Sequence, residues 1–145
     1  MKKDGILHAK LMEALTSARH KDTIIILDAG MPAPSDCNYI DLGLIRGIPS
    51  FWDVLKAVLR EIVVEEYAVF DLMPQYNPEM HKKIQKMMSN IPGKTMTQQE
   101  MAALMRSAKA VIRTAEFGSS CNIVLYAASG MDKYVEKFNI DPTDD

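Results

Sequence analysis

The sequence predicts an α/β fold: a single three-layer domain with a mainly parallel central sheet. Three observations carry this. Segments with the 3.6-residue period of amphipathic helices alternate along the chain with short β-branched apolar segments. The most apolar of the latter, "TIIIL" at 23–27, is unbroken rather than alternating, as in a strand buried on both faces. The 145 residues contain no visible repeat or linker, so they make one domain with a substantial core.

Taken in order, residues 8–19 place Leu11, Leu15 and Ala18 at helical spacing. "TIIIL" follows as a strand, and Gly30, Pro32 and Pro34 end it in a loop. "YIDLGL" at 39–44 reads as a second strand. Pro49 and Ser50 then start a helix carrying Val54, Leu55, Val58, Leu59 and Ile62. Residues 63–73 form a strand candidate. Asn77 before Pro78 is an N-cap with proline at the first helical position, opening a helix lined by Met80, Ile84, Met87 and Met88 and closed by "IPGK" at 91–94. Thr97 to Glu100 has capping-box spacing before Met101, Leu104 and Met105. Two more strands are expected at 110–115 and 122–128, separated by the turn-prone "GSS" at 118–120. After Gly130 comes a polar tail with a turn or more of helix. The eleven methionines read as adaptable core filler.

Composition excludes several functions. The net charge is −2 and the only basic pairs are Lys2-Lys3 and Lys82-Lys83, so nothing neutralises a phosphate backbone and nucleic acid is not an expected partner. The longest apolar run, 24–27, is too short to cross a membrane, and the amino terminus lacks a signal-type apolar stretch, so a cytoplasmic setting is expected. Cys37 and Cys121 are far apart and are expected as free thiols; His8, His20 and His81 are too scattered for a zinc site, and His8 and His81 read as solvated helix faces. No G-x-G-x-x-G, Walker A or G-x-S-x-G motif occurs.

What remains is a set of polar residues at strand ends, where open α/β sheets hold ligands. Asp28 follows the first strand and Asn122 borders the last; each reads first as a turn or strand-edge residue and second as a ligand contact. His20 reads first as a solvated helix-end cation and second as part of an active site. If 23–28 is one straight strand at ~3.3 Å per residue, His20 and Asp28 stand on the order of 15–20 Å apart. They cannot then share a small ligand within one chain.

Five blocks carry a family resemblance: "KKDGIL" at the start, His20 with "DTIIILDAGMPAP" at 22–34, "IDLGL" and "GIPSF" within 40–51, and "AKAVIRTAEF" with "NIVL" within 108–125. Together they resemble the D-ribose pyranase / L-fucose mutarotase (RbsD/FucU) family over residues 1–128, leaving 129–145 as a polar C-terminal extension. The resemblance implies a cofactor-independent sugar isomerase working on a free monosaccharide, D-ribose-like in preference to L-fucose or another sugar. It also implies a ring-like homo-oligomer, often a decamer, with its pocket between subunits. The residue aligned with His20 is the family's proton donor, and that aligned with Asp28 binds the sugar; Asn122 and Gln98 fall at further sugar-binding positions. Ring opening needs an acid for the ring oxygen and a base for the anomeric hydroxyl, and an imidazole suits such an exchange near neutral pH.

The chain departs from the family at three places. Gln98 in "TQQE" stands where ribose pyranases have a histidine in T-H-E; it can hydrogen-bond a hydroxyl but cannot titrate. Ser120-Cys121-Asn122 stands for Tyr-Ala-Asn or Tyr-Gly-Asn, and Arg19 replaces the glycine before the histidine. A sugar-binding oligomer without catalysis, acting as a sensor, is the alternative these departures leave open.

Overall fold

The computed structural model describes residues 1–142. Its strands are β1 (Thr23–Leu27), β2 (Tyr39–Asp41), β3 (Val64–Phe70), β4 (Gly93–Met96), β5 (Ala110–Arg113) and β6 (Ile123–Ala127). The helices are α1 (Ala9–Ser17), α2 (Phe51–Leu59), α3 (Met73–Tyr76), α4 (Pro78–Met87), α5 (Gln98–Met105) and α6 (Asp132–Lys137). All six strands form one sheet in the order β2-β5-β1-β6-β3-β4.

β1 pairs parallel with β5, β2 with β5 and β3 with β4, whereas β6 runs antiparallel to both β1 and β3. Five strands therefore share one direction, and the sixth opposes them from inside the sheet. The sheet is mainly parallel as expected, yet mixed.

The unbroken apolar run of β1 is explained by layers on both faces. Ile24 and Ile26 join the larger core with Leu11 and Leu15 of α1, Leu55 and Val58 of α2 and Ile84 of α4. Ile25 and Leu27 face the other way, against Met96, Met101 and Met105. Side chains alternate across a strand, so a strand covered on both faces has no polar positions. Met31, Met73, Met88, Met96, Met101 and Met105 are all buried, as core filler should be.

The helix-start signals act as read. Ser50 Oγ accepts from Asp53 N–H at 3.1 Å, Asn77 Oδ1 from Met80 N–H at 3.3 Å, and Thr97 with Glu100 closes a reciprocal capping box. His8 differs from its expected role on a solvated helix face: it is the N-cap of α1, its Nδ1 accepting from Leu11 N–H at 3.2 Å.

Several boundaries move: β2 ends at Asp41 and α2 at Leu59, each short of the expected end. The strand expected over 63–73 stops at Phe70, and α3 follows with Met73 fully buried. The "IPGK" segment, expected to close a helix, instead leads into β4, an edge strand with only Met96 buried. β4 carries little apolar alternation of its own; its ladder with β3 holds it, and Gly93 lies so close to the Tyr67 ring that no β-carbon would fit.

Candidate functional site

The site follows from strand direction. Because β6 opposes β1 with Ile26 level with Ile123, the residue entering β6 stands beside the residue leaving β1. These are Asn122 and Asp28. The Asp28 N–H donates to Asn122 Oδ1 at 2.9 Å, and Asn122 Nδ2 donates back to Asp28 Oδ2 at 3.1 Å. Asp28 Oδ1 meanwhile accepts from the N–H groups of Gly30 (3.0 Å) and Met31 (2.9 Å), an Asx-type turn. The turn reading of Asp28 thus holds: its carboxylate shapes the loop, and the residue borders the cavity beside it. Asn122, only 1% exposed, holds that carboxylate in place.

Around the pair lies a cavity of about 510 Å³ at the carboxyl ends of β1, β3 and β5, bounded by Asp28, Phe70, Gln98, Arg113, Glu116 and Asn122 among others. Its volume falls in the range of small-molecule pockets, ~300–1,000 Å³. Gln98 enters from the first turn of α5. The structure therefore brings three of the four candidate residues, Asp28, Gln98 and Asn122, to one cavity.

Residues that sequence reasoning did not single out make the walls rigid. Thr114 Oγ1 donates to the Leu27 carbonyl at 2.8 Å and accepts from Glu116 N–H at 3.2 Å. The Glu116 carboxylate accepts from Phe51 N–H at 3.2 Å and Gly118 N–H at 2.8 Å, while its carbonyl accepts from Ala29 N–H at 2.9 Å. Arg113 Nε donates to the Ala29 carbonyl at 3.0 Å, and its Nη1 contacts both Asp41 oxygens. The "RTAE" stretch thus ties the loops after β1 and β5 to the start of α2. Nothing in its local pattern marks that role, which depends on loops far apart in sequence.

Ser120 takes a left-handed backbone (φ 60) and turns Cys121 inward to full burial. Burial, and then the nearby Glu116 and Asp28 carboxylates, push the Cys121 thiol up to about 12. The ordinary thiol value is 9.0, so between about pH 9 and 12 the unfolded chain loses a proton that the folded chain keeps. The stability from this group is whole below that window and is lost as pH rises through it. Urea unfolding at about pH 8 and about pH 10.5 should show a larger loss for the native chain than for Cys121→Ser.

His20 lies elsewhere. It sits in the turn between α1 and β1, at the opposite end of β1 from Asp28, and does not border the cavity. The strand between them keeps the two ends on the order of 15–20 Å apart, as the sequence spacing requires. Its surroundings are a second small cluster. Glu65 Oε1 lies 3.0 Å from His20 Nε2 and 2.9 Å from Lys21 Nζ, in both cases without the alignment of a hydrogen bond. Glu65 holds the Lys21 ammonium above its ordinary value. The Tyr134 ring stacks beside the imidazole, centroids 6.4 Å apart at 25°. Neither Glu65 nor Tyr134 carries a sequence signal.

Among the described residues no group of three or more His, Cys, Asp or Glu side chains is placed to hold a metal, and no helix is long and apolar enough to cross a membrane. Comparison with known proteins accords with this geometry. The profile of the RbsD / FucU transport protein family matches residues 1–129. The D-ribose pyranase of Geobacillus thermodenitrificans is 42% identical over 125 residues, covering 86% of this chain and 95% of that protein. The D-ribose pyranase of Coprothermobacter proteolyticus is 38% identical with the same coverage. Among solved structures, Bacillus subtilis RbsD complexed with D-ribose superposes with a TM-score of 0.84 at 35% identity, covering 90% of this chain and all of that one. The fucose mutarotase of Streptococcus pneumoniae in complex with L-fucose shares the fold, with a TM-score of 0.73 at 16% identity, over 86% of this chain and 95% of that one. The profile match over residues 1–129 and the identity to relatives over most of both chains lead to one conclusion: the chain belongs to the RbsD/FucU family.

Proposed function

We propose that the protein is a D-ribose pyranase: a cytoplasmic, cofactor-independent isomerase that interconverts the ring forms of free D-ribose through the open-chain aldehyde. The observation that carries the reading is the braced Asp28–Asn122 pair at the mouth of a sugar-sized cavity, in a chain 42% identical to a D-ribose pyranase. The Asp28 carboxylate accepts a sugar hydroxyl, Asn122 holds it and offers its second amide N–H, and Gln98 hydrogen-bonds another hydroxyl. His20 delivers a proton to the ring oxygen as the anomeric hydroxyl loses one; re-closure on a different hydroxyl returns both.

His20 reaches the sugar from a neighbouring subunit, so the working unit is a ring-like homo-oligomer with pockets between copies. Two observations support this. His20 and Asp28 occupy opposite ends of β1, and the cavity is flanked by exposed apolar side chains: Phe117, 58% exposed, lies beneath Arg46 of the 44–48 hairpin, where Leu44 and Ile45 are 76% and 61% exposed. Apolar side chains gathered at a pocket mouth mark an association surface.

Exchange NMR on D-ribose and L-fucose tests the reading. The expected result is accelerated exchange between pyranose and furanose signals of ribose, with fucose less affected. Ribose binding without faster exchange would replace the enzyme with a sugar-binding sensor.

A further inference from the structure

The residues past the family-matched segment fold back toward the end of the sheet where His20 precedes β1. α6 begins at Asp132, beyond residue 129 where the family match ends. Phe138, at its carboxyl end, is buried in the core with Leu11 and Val64, and Asn90 Nδ2 donates to the Asn139 carbonyl at 2.9 Å. Arg60 donates to the Pro142 carbonyl at 3.3 Å. The segment is thus docked by an apolar anchor and by hydrogen bonds from Asn90 and Arg60 to its backbone carbonyls.

That anchor fixes Tyr134. Residues four apart share one face of a helix, so the burial of Phe138 turns the Tyr134 ring inward. The Tyr134 and Phe138 rings lie 6.2 Å apart and nearly parallel at 10°, and the His20 ring lies 6.4 Å from Tyr134 at 25°. The imidazole therefore has an aromatic plate beside it and the Glu65 carboxylate at Nε2, contributed by three chain segments. Its side chain is still 48% exposed, and among the described residues no hydrogen bond engages Nδ1.

We propose that Tyr134 is a positioning residue for His20: its ring limits the imidazole to one orientation, with Nε2 toward Glu65 and the Nδ1 edge left to meet the substrate. The inference rests on the reading of His20 as the general acid. A histidine in a turn has two soft torsions, and proton transfer succeeds only from hydrogen-bonding geometry. A ring stacked on the imidazole removes unproductive orientations before substrate arrives, so the effect falls on kcat and not on sugar binding. The plate needs its aromatic face and not its hydroxyl.

The test compares Tyr134→Ala and Tyr134→Phe in the full chain. Tyr134→Ala is expected to lower kcat for ribose ring exchange about tenfold with KM within about twofold, and to shift the His20 ring C–H resonances. Tyr134→Phe is expected to preserve both. Should Tyr134→Ala not fold, Tyr134→Leu takes its place, keeping apolar volume against Phe138 without a plate, with the same loss expected. Undiminished kcat in the alanine or leucine variant, or a Phe variant as slow as it, overturns the proposal. A His20→Ala variant that keeps its rate overturns the acid assignment and Tyr134's role with it, whereas a dead His20→Ala beside a fully active Tyr134→Ala overturns only the brace.

Discussion

Replacing His20 by alanine is expected to lower the enzyme-dependent exchange of ribose ring forms by ~10²–10⁴-fold, the range of a positioned proton donor. Saturation-transfer NMR at neutral pH measures it directly. Sugar binding should survive, because the hydroxyl contacts offered by Asp28, Gln98 and Asn122 come from groups that His20 does not hold in place. The fold should survive as well: His20 is half exposed, lies in a turn, and contributes no side chain to either core cluster. An unchanged exchange rate would remove His20 from the mechanism.

The second large effect is a gain. Asp28→Ala should also be inactive, since it loses the sugar contact and the Oδ1 that holds the Gly30 and Met31 amides. Mixing it with His20→Ala under conditions that exchange subunits is expected to restore about a quarter of native activity, if the subunits assort at random around a symmetric ring. A native pocket forms wherever an intact His20 from one copy meets an intact Asp28 from the next. Two inactive variants that stay inactive after verified subunit exchange would show that each chain carries a whole site, against the distance along β1.

The elements legible in the sequence were those with a local physical signal. The 3.6-residue period, the caps at Ser50, Asn77 and Thr97, and the apolar run of β1 each depend on residues within a few positions, and all are present. β4 was missed because an edge strand held by its neighbour needs no pattern of its own. The end of β3 was overrun because Met73, buried in α3, continues an apolar run without continuing the strand. At the site, Asp28, Gln98 and Asn122 were reachable through the family blocks. The roles of Arg113 and Glu116, although both lie within a family block, and of Glu65 and Tyr134 were not, because each acts on a group 15 or more residues away in the chain, or on several loops at once.

The chain's local pattern is enough to bury β1 on both faces and to set a histidine before it and an aspartate after it, at a separation too large for one small ligand. Blocks spread over the first 128 residues are enough to indicate the family. Two features come from long-range packing instead: β6 runs against β1, which sets Asn122 against Asp28, and α6 returns to lay Tyr134 beside His20. Both have one cause. Side-chain periodicity records which face of an element is buried, but strand direction and the docking of a terminal helix are settled by contacts between distant segments, which leave no periodic trace in the chain.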